Sequence, residues 1–486
     1  MDRIKAVITK KVSYTHFFFM TLAIYIVAIF PIIRANVNYI DDTGRVLKGY
    51  AGWDNYSRYV SCFLSHIVHA NNSYLPDISP VPQIIAVTIL SLAALIVTVT
   101  IKGSGEIPVW NVLACIPLGL SPYFLECLSY KFDSPYMALS ILASVLPLLF
   151  YKKQWKWYSL SVVIGMLVMC MTYQAASGIF PMLVILLALI MYVRNENLKR
   201  IGTFILCSAV SYGIGVGIFF LFLMKRVSTY VSNGLADWSG IVEHYKTYLN
   251  YMRTDFRKLW LIVIALLVIC FICRMVCVSQ RNKMITLVLA VITAGVMFLL
   301  SFGLYPALEA PLFDPRSMFG VGAYIVCISL GAQGTEQKAF IVNVLAVILV
   351  WNFFTFSFTY GNALAVQKEW EDFRREEVIS DLTDIPEFYT EEDKTIKLTG
   401  SSGYAPALRN VMKQYGVLER LVPCMFQESW VWGRSKFANY YGWRSRAHVK
   451  WDEDMDTDDL TGYELVQESA YHRIYRQETR FVVELK

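Results

Sequence analysis

Charged residues are scarce in this 486-residue sequence: they make up 17% of it, whereas an ordinary soluble domain has about 25%. Hydrophobic residues reach 56%. The shortage of charge is concentrated in apolar runs of roughly 18 or more residues, which is the length that crosses the bilayer core as a helix. The composition therefore excludes a soluble globular protein and predicts a polytopic membrane protein.

Several sequence patterns of known chemistry are absent as well. There is no Walker A, GxGxxG, HExxH or GxSxG motif, so nucleotide hydrolysis and serine catalysis have no support. Lysine and arginine occur in twos and threes between apolar runs rather than as a basic patch, so no nucleic-acid partner is expected. Most of the ten cysteines lie inside apolar runs, and no disulfide framework is predicted.

Eleven apolar runs are present, each near the length of about 20 residues that spans a bilayer. We therefore predict an all-α polytopic fold of eleven transmembrane helices. The runs lie near 14–33, 81–101, 108–126, 134–151, 157–173, 178–193, 201–224, 259–273, 284–302, 318–332 and 339–360.

The distribution of basic residues predicts which connections face the cytoplasm. Alternate connections are short and basic, from Lys10 and Lys11 before the first run to Lys338 before the last. By the positive-inside rule this set is cytoplasmic. The opposite set contains the long segments 34–80, 225–258 and 303–317 and the tail from residue 361. We therefore expect a cytoplasmic N-terminus and an extracytoplasmic tail.

The sequence changes character after Tyr360, where charged and alternating segments replace the apolar runs. The tail contains a helix-forming segment, an alternating stretch and two strand-like runs: 368–379, 395–398, 472–475 and 480–485. The polar residues between the last two runs suggest a hairpin. We predict a transmembrane domain over 1–360 and a small C-terminal α/β domain over 361–486.

The most informative polar segment follows the first apolar run: Asn38-Tyr39-Ile40-Asp41-Asp42-Thr43-Gly44-Arg45. Two carboxylates held close together move each other's pKa values apart, so that one can act as a base. Gly44 allows the chain to turn, and Arg45 offers a partner for the acidic pair. The alternative is an ordinary polar loop in which Asp41 or Asp42 caps a helix.

One amphipathic segment follows the acidic pair in the first loop, and a second lies in the later loop that precedes the eighth run. Apolar residues recur at helical spacing from Asp54 to Ala70, and again between Tyr245 and Phe256, before the eighth run. Both segments are typical of helices that lie along a membrane surface. Beside an acidic pair, they favour a site that meets a lipid substrate at the bilayer surface.

Basic residues on the predicted outer side are a second indication of a site, because the topology rule depletes them there. They are Lys225, Arg226, Arg253, Arg257, Lys258 and Arg316. Fixed cations at this interface can hold the phosphate of a lipid headgroup, arginine through a bidentate fork. The alternative is that each one extends from a helix end toward water.

Three further sets of residues are weaker candidates. Trp53, beside the acidic pair, can stack on a sugar ring, although aromatic residues at helix ends usually form the interfacial belt. Asp133 is either a second acid of the site or the N-cap of the next helix. His66 and His69 have a spacing that suits a metal site with the acidic pair, but such a pair is more often merely polar.

Together these features resemble the GT-C class of membrane glycosyltransferases. More closely, the segment from Asn38 to Arg45, followed by Gly52-Trp53 and Arg58, resembles the Gtr type II family of phage-encoded glucosyltransferases. Members of that family modify the O-antigen of enteric bacteria and convert its serotype. The resemblance runs over nearly the whole chain, although only the first-loop motif is specific.

The resemblance implies substrates and a place in the cell. The donor would be undecaprenyl-phosphate-glucose, and the acceptor a sugar, commonly rhamnose, of a lipid-linked O-antigen at the periplasmic face of the bacterial inner membrane. Functional partners would be a flippase for the lipid-linked glucose and the enzyme that synthesises it. Asp41 or Asp42 would deprotonate the acceptor hydroxyl in an inverting displacement, and the choice between the two stays open.

The same resemblance implies roles for the other site residues. Arg316, with Arg253 and Arg257, would stabilise the departing lipid phosphate. The rest of the expected substrate-binding set is Arg45, Trp53, Arg58 and Asp133. No metal cofactor is expected, because the acidic pair has no clear third ligand, although some GT-C members use a divalent metal.

Two other classes of protein fit part of the pattern. A lipid-linked saccharide transporter or flippase would place charges inside the spans near the midplane, whereas these spans are nearly free of charge. An O-antigen polymerase or ligase would rely on arginine and histidine in large outer loops rather than on an acidic pair after the first span. A membrane glucosyltransferase fits the pattern best.

Overall fold

The computed structural model describes residues 11–103, 105–225, 234–333, 339–390, 392–428, 430–440, 442–451 and 460–486. Over these residues the chain is mostly helical, with a small sheet near its C-terminus. Of the basic residues singled out above, Lys10, Arg226 and Lys338 lie outside the described residues.

The helical body comprises the described residues up to Thr383. Its α-helices are α1 (Tyr14–Ala35), α2 (Asp42–Lys48), α3 (Tyr59–Val68), α4 (Val81–Lys102), α5 (Trp110–Cys115), α6 (Pro117–Leu120), α7 (Pro122–Ser129), α8 (Ser134–Val145), α9 (Trp155–Cys170), α10 (Ile179–Val193), α11 (Leu198–Ile218), α12 (Trp238–Asp255), α13 (Lys258–Val278), α14 (Lys283–Leu300), α15 (Gly320–Ala332) and α16 (Phe340–Thr383). Shorter helical turns are Trp53–Tyr56, Leu146–Phe150, Gln174–Gly178, Phe219–Leu223, Tyr305–Ala307 and Pro315–Ser317. Two short strands, β1 (Lys11–Val12) and β2 (Ile107–Pro108), pair antiparallel.

Seven helices within the described residues are at least 18 residues long and apolar enough to cross a membrane. They are Tyr14–Ala35, Val81–Lys102, Gln174–Val193, Leu198–Leu223, Lys258–Val278, Lys283–Leu300 and Phe340–Thr383. The predicted run near 108–126 is a pair of helices bent by 60°, and the runs near 134–151, 157–173 and 318–332 are apolar helices of 10–17 residues. A helical membrane protein is therefore confirmed, while the number of eleven complete spans stays a prediction.

Pro122 causes the bend between α6 and α7. α6 ends before Ser121, whose backbone is extended (φ −61°, ψ 145°), and Pro122 begins α7. Because proline lacks an N–H and disfavours the helical conformation in the residue before it, the helix does not continue through Ser121. All eight residues of α7 are buried. The bend thus directs α7, with the carboxylate of Glu126, into the interior of the bundle.

The longest helix, α16, has 44 residues. At 1.5 Å per residue it is about 66 Å long, roughly twice the thickness of a bilayer core. The predicted domain boundary at residues 360 and 361 lies inside this continuous helix. The Ser357 hydroxyl donates a hydrogen bond to the Ala28 carbonyl (2.6 Å), and Gly361 approaches Pro31. Because the residue numbers of the contacting pairs increase together along both helices, α1 and α16 run parallel.

The C-terminal segment forms a small α/β domain, as the sequence predicts. Its elements are β3 (Lys394–Gly400), α17 (Pro406–Met412), α18 (Leu418–Leu421), α19 (Val431–Ser435), α20 (Trp443–Arg446), β4 (Val449–Trp451), β5 (Glu464–Glu468), β6 (His472–Gln477) and β7 (Arg480–Leu485). The sheet has the order β4-β3-β7-β6-β5, with β3 parallel to both neighbours and β6 antiparallel to both of its own. The predicted hairpin is β6–β7, and the predicted strand at 395–398 is the central part of β3.

Buried charges fix this domain to the helical body. Arg374 of α16 donates to the carbonyls of Ser402 (3.0 Å) and Lys486 (3.1 Å). The next residue, Arg375, pairs with Glu371 at 2.8 Å inside the same interface. Arg374 therefore ties α16 to the domain's loop and C-terminus.

A second attachment joins the domain to α12. Arg420 forms an ion pair with Asp255, and its guanidinium lies 4.0 Å from the centre of the Tyr251 ring. The phenol of Tyr123, from α7, also donates to Asp255 (3.0 Å). The domain thus contacts the end of the bundle where α12 and α7 meet.

The close contact between α1 and α16 generates a test of the fold. A Cβ atom at Gly361 would lie 2.5 Å from the backbone of Pro31, whereas one at Gly202 of α11 would meet nothing within 4 Å. We expect Gly361→Ala to lower the stability by about 1–3 kcal/mol, because the two backbones must separate. The matched variant Gly202→Ala should be neutral or more stable by up to about 1 kcal/mol. Thermal unfolding of the purified proteins in detergent measures both, and equal melting temperatures for the two variants would contradict the packing.

Candidate active site

Three connecting segments, 36–80, 130–133 and 301–319, meet at one end of the bundle and enclose a cavity of about 230 Å³. Met137 of α8, Gln174 of the turn Gln174–Gly178 and Phe219 of the turn Phe219–Leu223 complete its wall. It is lined by Ile40, Asp41, Tyr56, Ser57, Arg58, Tyr130, Asp133, Met137, Gln174, Phe219, Met224, Lys225, Tyr305, Leu308, Leu312 and Arg316. The cavity therefore combines acidic, basic, aromatic and aliphatic side chains.

Asp41 is the member of the acidic pair that faces the cavity. Its Oδ1 accepts a hydrogen bond from the indole N–H of Trp432, at 3.0 Å. Its Oδ2 accepts none from a residue that the structure describes. This oxygen can therefore take a proton from a molecule bound in the cavity.

Asp42 is directed the other way and is fully buried. Its Oδ2 accepts the backbone N–H groups of Tyr39 (3.2 Å) and Lys131 (2.8 Å), and its Oδ1 accepts that of Phe132 (3.4 Å). Burial, together with the charge of Asp133, raises the pKa of Asp42 to about 8, although the Lys131 N–H acts in the opposite direction. Asp42 thus joins the first loop to the 130–133 segment and has no access to the cavity.

Asp133 occupies the centre of a second buried cluster. Its two oxygens accept hydrogen bonds from Arg45 Nη1 (2.7 Å) and Trp53 Nε1 (2.6 Å). The Arg45 guanidinium also lies 4.4 Å from the centre of the Trp53 ring. The centre of the Tyr136 ring lies 5.3 Å from that of the Trp53 ring. Removal of one partner of a buried ion pair leaves an uncompensated charge, which typically lowers the stability of the fold by about 3–5 kcal/mol.

This cluster changes the expected roles of Arg45 and Trp53. Arg45 is 5% exposed and Trp53 is 1% exposed, and neither lines the cavity. The prediction that the Trp53 ring stacks on a sugar does not fit this burial, because its face is covered by Arg45. Asp133 lines the cavity but is held by these two residues. Arg45, Trp53 and Asp133 therefore stabilise the wall of the cavity.

Three cations line the cavity, and only some of them have acidic partners. Lys225 pairs with Asp54 (3.1 Å) at the protein surface. Arg58 makes no ion pair with a described residue, and its guanidinium lies 4.6 Å from the centre of the Tyr173 ring. The site therefore contains one cation, Arg58, whose charge is not neutralised by a described neighbour.

Arg316 is the most tightly held of the three cations. Glu126 accepts both its backbone N–H (2.5 Å) and its Nη1 (2.8 Å), and Asp314 accepts from Nη2 (2.6 Å). Because Glu126 is 1% exposed, this contact fixes the orientation of the guanidinium at the cavity wall. Sequence reasoning selected Arg316 but not Glu126, whose position depends on the bend before α7.

The other predicted phosphate-binding residues lie elsewhere. Arg253 is exposed on α12, and Arg257 packs on the Tyr415 ring of the C-terminal domain at 5.0 Å. Neither lines the cavity. Arg253 in α12 and Arg257 at the start of α13 are therefore not among the residues around Asp41.

Trp432 is the residue that sequence reasoning missed most clearly. It belongs to α19, 391 residues after Asp41. A Cβ atom at Gly44 would lie 2.4 Å from its ring, so Gly44 is required for close approach rather than for a turn. Gly44 lies inside α2, which corrects the expected turn. No local pattern marks Trp432, because its role depends on how the C-terminal domain packs.

The histidine pair does not join the acidic pair. The His69 ring stacks on Phe132 (5.4 Å), and His66 Nδ1 lies 3.0 Å from the Asn71 carbonyl oxygen. Within the described parts of the chain there is no group of three or more His, Cys, Asp or Glu side chains placed to hold a metal ion. The Asp42 oxygens are moreover occupied by backbone N–H groups, so the acidic pair is not a bidentate metal ligand.

Helices of membrane-crossing length, with a carboxylate and three cations around a cavity at one end, define a helical membrane protein with a candidate active site at one end of its bundle. Comparison with known proteins gives the family. A family model described as "Glucosyl transferase GtrII" matches residues 30–329. The chain therefore belongs to the GtrII glucosyl transferase family, which confirms the resemblance seen in the first-loop motif.

A relative from Salmonella phage P22 is similar over most of its length. It is described as an "Uncharacterized 55.3 kDa protein in gtrB 5'region" and is 22% identical over 431 residues, which is 85% of this chain and 87% of the relative. The family match contains every residue of the cavity wall but ends before Trp432. The C-terminal domain is thus outside the part that the family model covers.

The environment of Asp42 predicts a pH-dependent effect. Its pKa rises from about 3.9 in an unfolded chain to about 8 in the fold, so its contribution to stability is present below the lower value and is lost as the pH rises through the upper one. Asp42→Asn removes this loss, because the amide does not ionise. The melting temperature of the variant, relative to wild type, should therefore improve as the pH rises from about 4 to about 8.

The control is Glu243→Gln, at an exposed position of α12, which should show no such trend. A constant difference between Asp42→Asn and wild type, or one that worsens with pH, would show that Asp42 is held as an anion.

Proposed function

We propose that the protein transfers glucose from a polyprenyl-phosphate-glucose, such as undecaprenyl-phosphate-glucose, to a sugar of a lipid-linked O-antigen, rhamnose being the expected one. The reaction would take place at the periplasmic face of the bacterial inner membrane. One observation carries the proposal: Asp41 and three cations line the same cavity, at the end of a bundle of membrane-crossing helices. Family membership supports glucose as the transferred group.

The donor would bind with its phosphate among the cations and its lipid chain toward the bilayer. Arg58, Lys225 and Arg316 offer positive charge, and the arginines can bind phosphate oxygens through two N–H groups. Phe219 and Met224 supply an apolar wall next to them. The helical turn that contains Phe219 continues through Leu221 and Phe222, which are 72% and 78% exposed and suited to contact with lipid.

The chemistry would be a single displacement at the anomeric carbon. An acceptor hydroxyl gives its proton to Asp41 Oδ2 while its oxygen forms a bond to C1 of glucose. The bond from C1 to the phosphate oxygen breaks, and the lipid phosphate leaves with the electron pair. The cations stabilise the charge that develops on that phosphate. Attack from the face opposite the leaving group inverts the anomeric configuration.

The buried residues behind the cavity would position this base. Asp42 fixes the start of α2 to the 130–133 segment, and Asp133 holds Arg45 and Trp53 beside it. No metal is proposed, because Asp42 faces backbone N–H groups and leaves Asp41 without a second ligand from the pair. The donor would come from a lipid-glucose synthase through a flippase.

The C-terminal domain would cover the acceptor side of the site. Trp432 places an indole ring over α2, next to Asp41, and aromatic faces are suited to stacking on sugars. The parallel course of α1 and α16 supports a topology in which the N-terminus and the C-terminal domain lie on opposite sides of the membrane. The short basic connections support a cytoplasmic N-terminus.

Substitution of the two adjacent acids tests the proposed reaction. Asp41→Asn should lower glucose transfer in isolated membranes by about 100-fold or more, as expected for loss of a general base. Asp42→Asn changes a positioning residue and should lower transfer less than Asp41→Asn does. The control is Glu243→Gln, at an exposed position of α12, which should keep transfer at the wild-type level. Transfer from radiolabelled lipid-linked glucose to O-antigen is measured at equal protein levels.

Near-normal transfer by Asp41→Asn would refute the proposed base. If wild-type membranes transfer no glucose but move the lipid-linked sugar across the bilayer, the transporter alternative replaces the proposal.

The hydrogen bond from Trp432 to Asp41 gives a second test. Trp432→Phe keeps an aromatic ring against Gly44 but removes the N–H donor to the carboxylate. Because a hydrogen bond to a charged group contributes about 1.5–3 kcal/mol, we expect kcat to fall by about tenfold or more with correct folding retained. Trp238→Phe, on the exposed surface of α12, is the control. Unchanged kcat in Trp432→Phe would show that the C-terminal domain does not orient the base.

A further inference from the structure

A second cavity, of about 220 Å³, contains three cations and no acidic side chain among its lining residues. Its cations come from three distant parts of the sequence: Lys102 ends α4, Arg194 follows α10, and Arg274 lies in the last turns of α13. The amides of Gln280 and Gln333 complete its polar part. The three cations come together only in the folded protein, since no sequence segment contains more than one of them.

This cavity lies at the opposite end of the bundle from Asp41. Gln174, at the start of the helical segment Gln174–Val193, lines the candidate active site, and Val193 at its other end lines the second cavity. A helical segment of 20 residues is about 30 Å long, which equals the thickness of the bilayer core. The two cavities therefore face opposite surfaces of the membrane.

The charges of the second cavity are not neutralised within the described protein. Arg194 and Arg274 form no ion pair with a described residue, and Lys102 Nζ donates to the carbonyl of Gln333. The neighbouring acid Glu196 pairs with Arg200 instead, at 3.7 Å. Like charges held close together repel one another, so an anion bound among them would lower the energy of this arrangement.

The positive-inside rule alone does not account for this geometry. Lys152 and Lys153, in the connection after α8 at the same end of the bundle, satisfy that rule as exposed surface residues. Lys102, Arg194 and Arg274 instead surround a concavity between helices. Basic pockets between transmembrane helices on the cytoplasmic side are suited to lipid headgroups.

We propose that this cavity binds the phosphate of an anionic membrane lipid in the leaflet opposite the candidate active site. The apolar side chains of Ile190, Met275 and Leu330 line the same cavity as the cations, which fits a phosphate attached to a hydrocarbon chain better than a free phosphate ion. The arginines can bind phosphate oxygens through paired N–H groups. This site is independent of the proposed glucose transfer, since none of its residues lies at the first cavity.

Native mass spectrometry of the full-length protein in a neutral detergent tests the site, with phosphatidylglycerol as the anionic probe and phosphatidylcholine as the zwitterionic comparison. Wild type should retain phosphatidylglycerol in preference to phosphatidylcholine. Arg194→Gln/Arg274→Gln should lower that retention by more than about tenfold, because two cations are lost. The control Lys152→Gln/Lys153→Gln removes the same charge at the same end of the bundle and should bind as wild type does.

Arg274→Lys guards against a folding defect, because it keeps the charge and should keep most of the binding. Equal retention by wild type, the arginine double variant and the control would overturn the proposal. Displacement of phosphatidylglycerol by inorganic phosphate at equal concentration would also overturn it, since the site would then recognise the free ion.

Discussion

The candidate site depends on the burial of one carboxylate. Asp42 accepts backbone N–H groups from its own loop and from the segment that follows α7, and these contacts fix the start of α2 against the bundle. Successive residues of a helix point about 100° apart, so a buried Asp42 obliges Asp41 to face another direction. That direction is the cavity. The two adjacent acids therefore have different surroundings: Asp42 is buried and bonded to the backbone, whereas Asp41 lines the cavity.

The arrangement around Asp42 is extended by a second layer of contacts. Asp133 immediately precedes α8, and its carboxylate binds Arg45 from α2 together with Trp53 from the turn Trp53–Tyr56. Both clusters join residues that are 80 or more positions apart in the chain. Each is buried, so the loss of one member leaves a charge or a donor without a partner and destabilises the rest. These contacts thereby hold the first loop to the helices of the bundle.

The sequence could predict features that depend on local patterns, but not those that depend on packing. Apolar runs located the long helices of the bundle, and strand-like runs separated by polar residues located the β6–β7 hairpin, because both are local patterns of the sequence. The acidic pair was found as a local motif of the first loop, and Arg316 as a basic residue on the predicted outer side. Local patterns could not decide between Asp41 and Asp42, since both are acidic and adjacent. They also could not show that Trp53 is covered by Arg45, that Arg253 does not line the cavity, or that Trp432 arrives from a domain nearly 400 residues later.

The two cation-lined cavities differ in a way that follows from their proposed tasks. At the first, Lys225 and Arg316 are paired with Asp54, Glu126 and Asp314, so much of the positive charge is already balanced. An enzyme gains nothing from binding its substrate and its transition state equally tightly, and it must release a phosphate-bearing product after each reaction. Partial neutralisation serves both needs. At the second cavity the arginines form no ion pair with a described acid, and no acidic side chain lines the cavity, which suits a ligand that stays bound. The same residue types can thus support turnover on one side of the membrane and attachment on the other, and the difference is set by the neighbouring carboxylates.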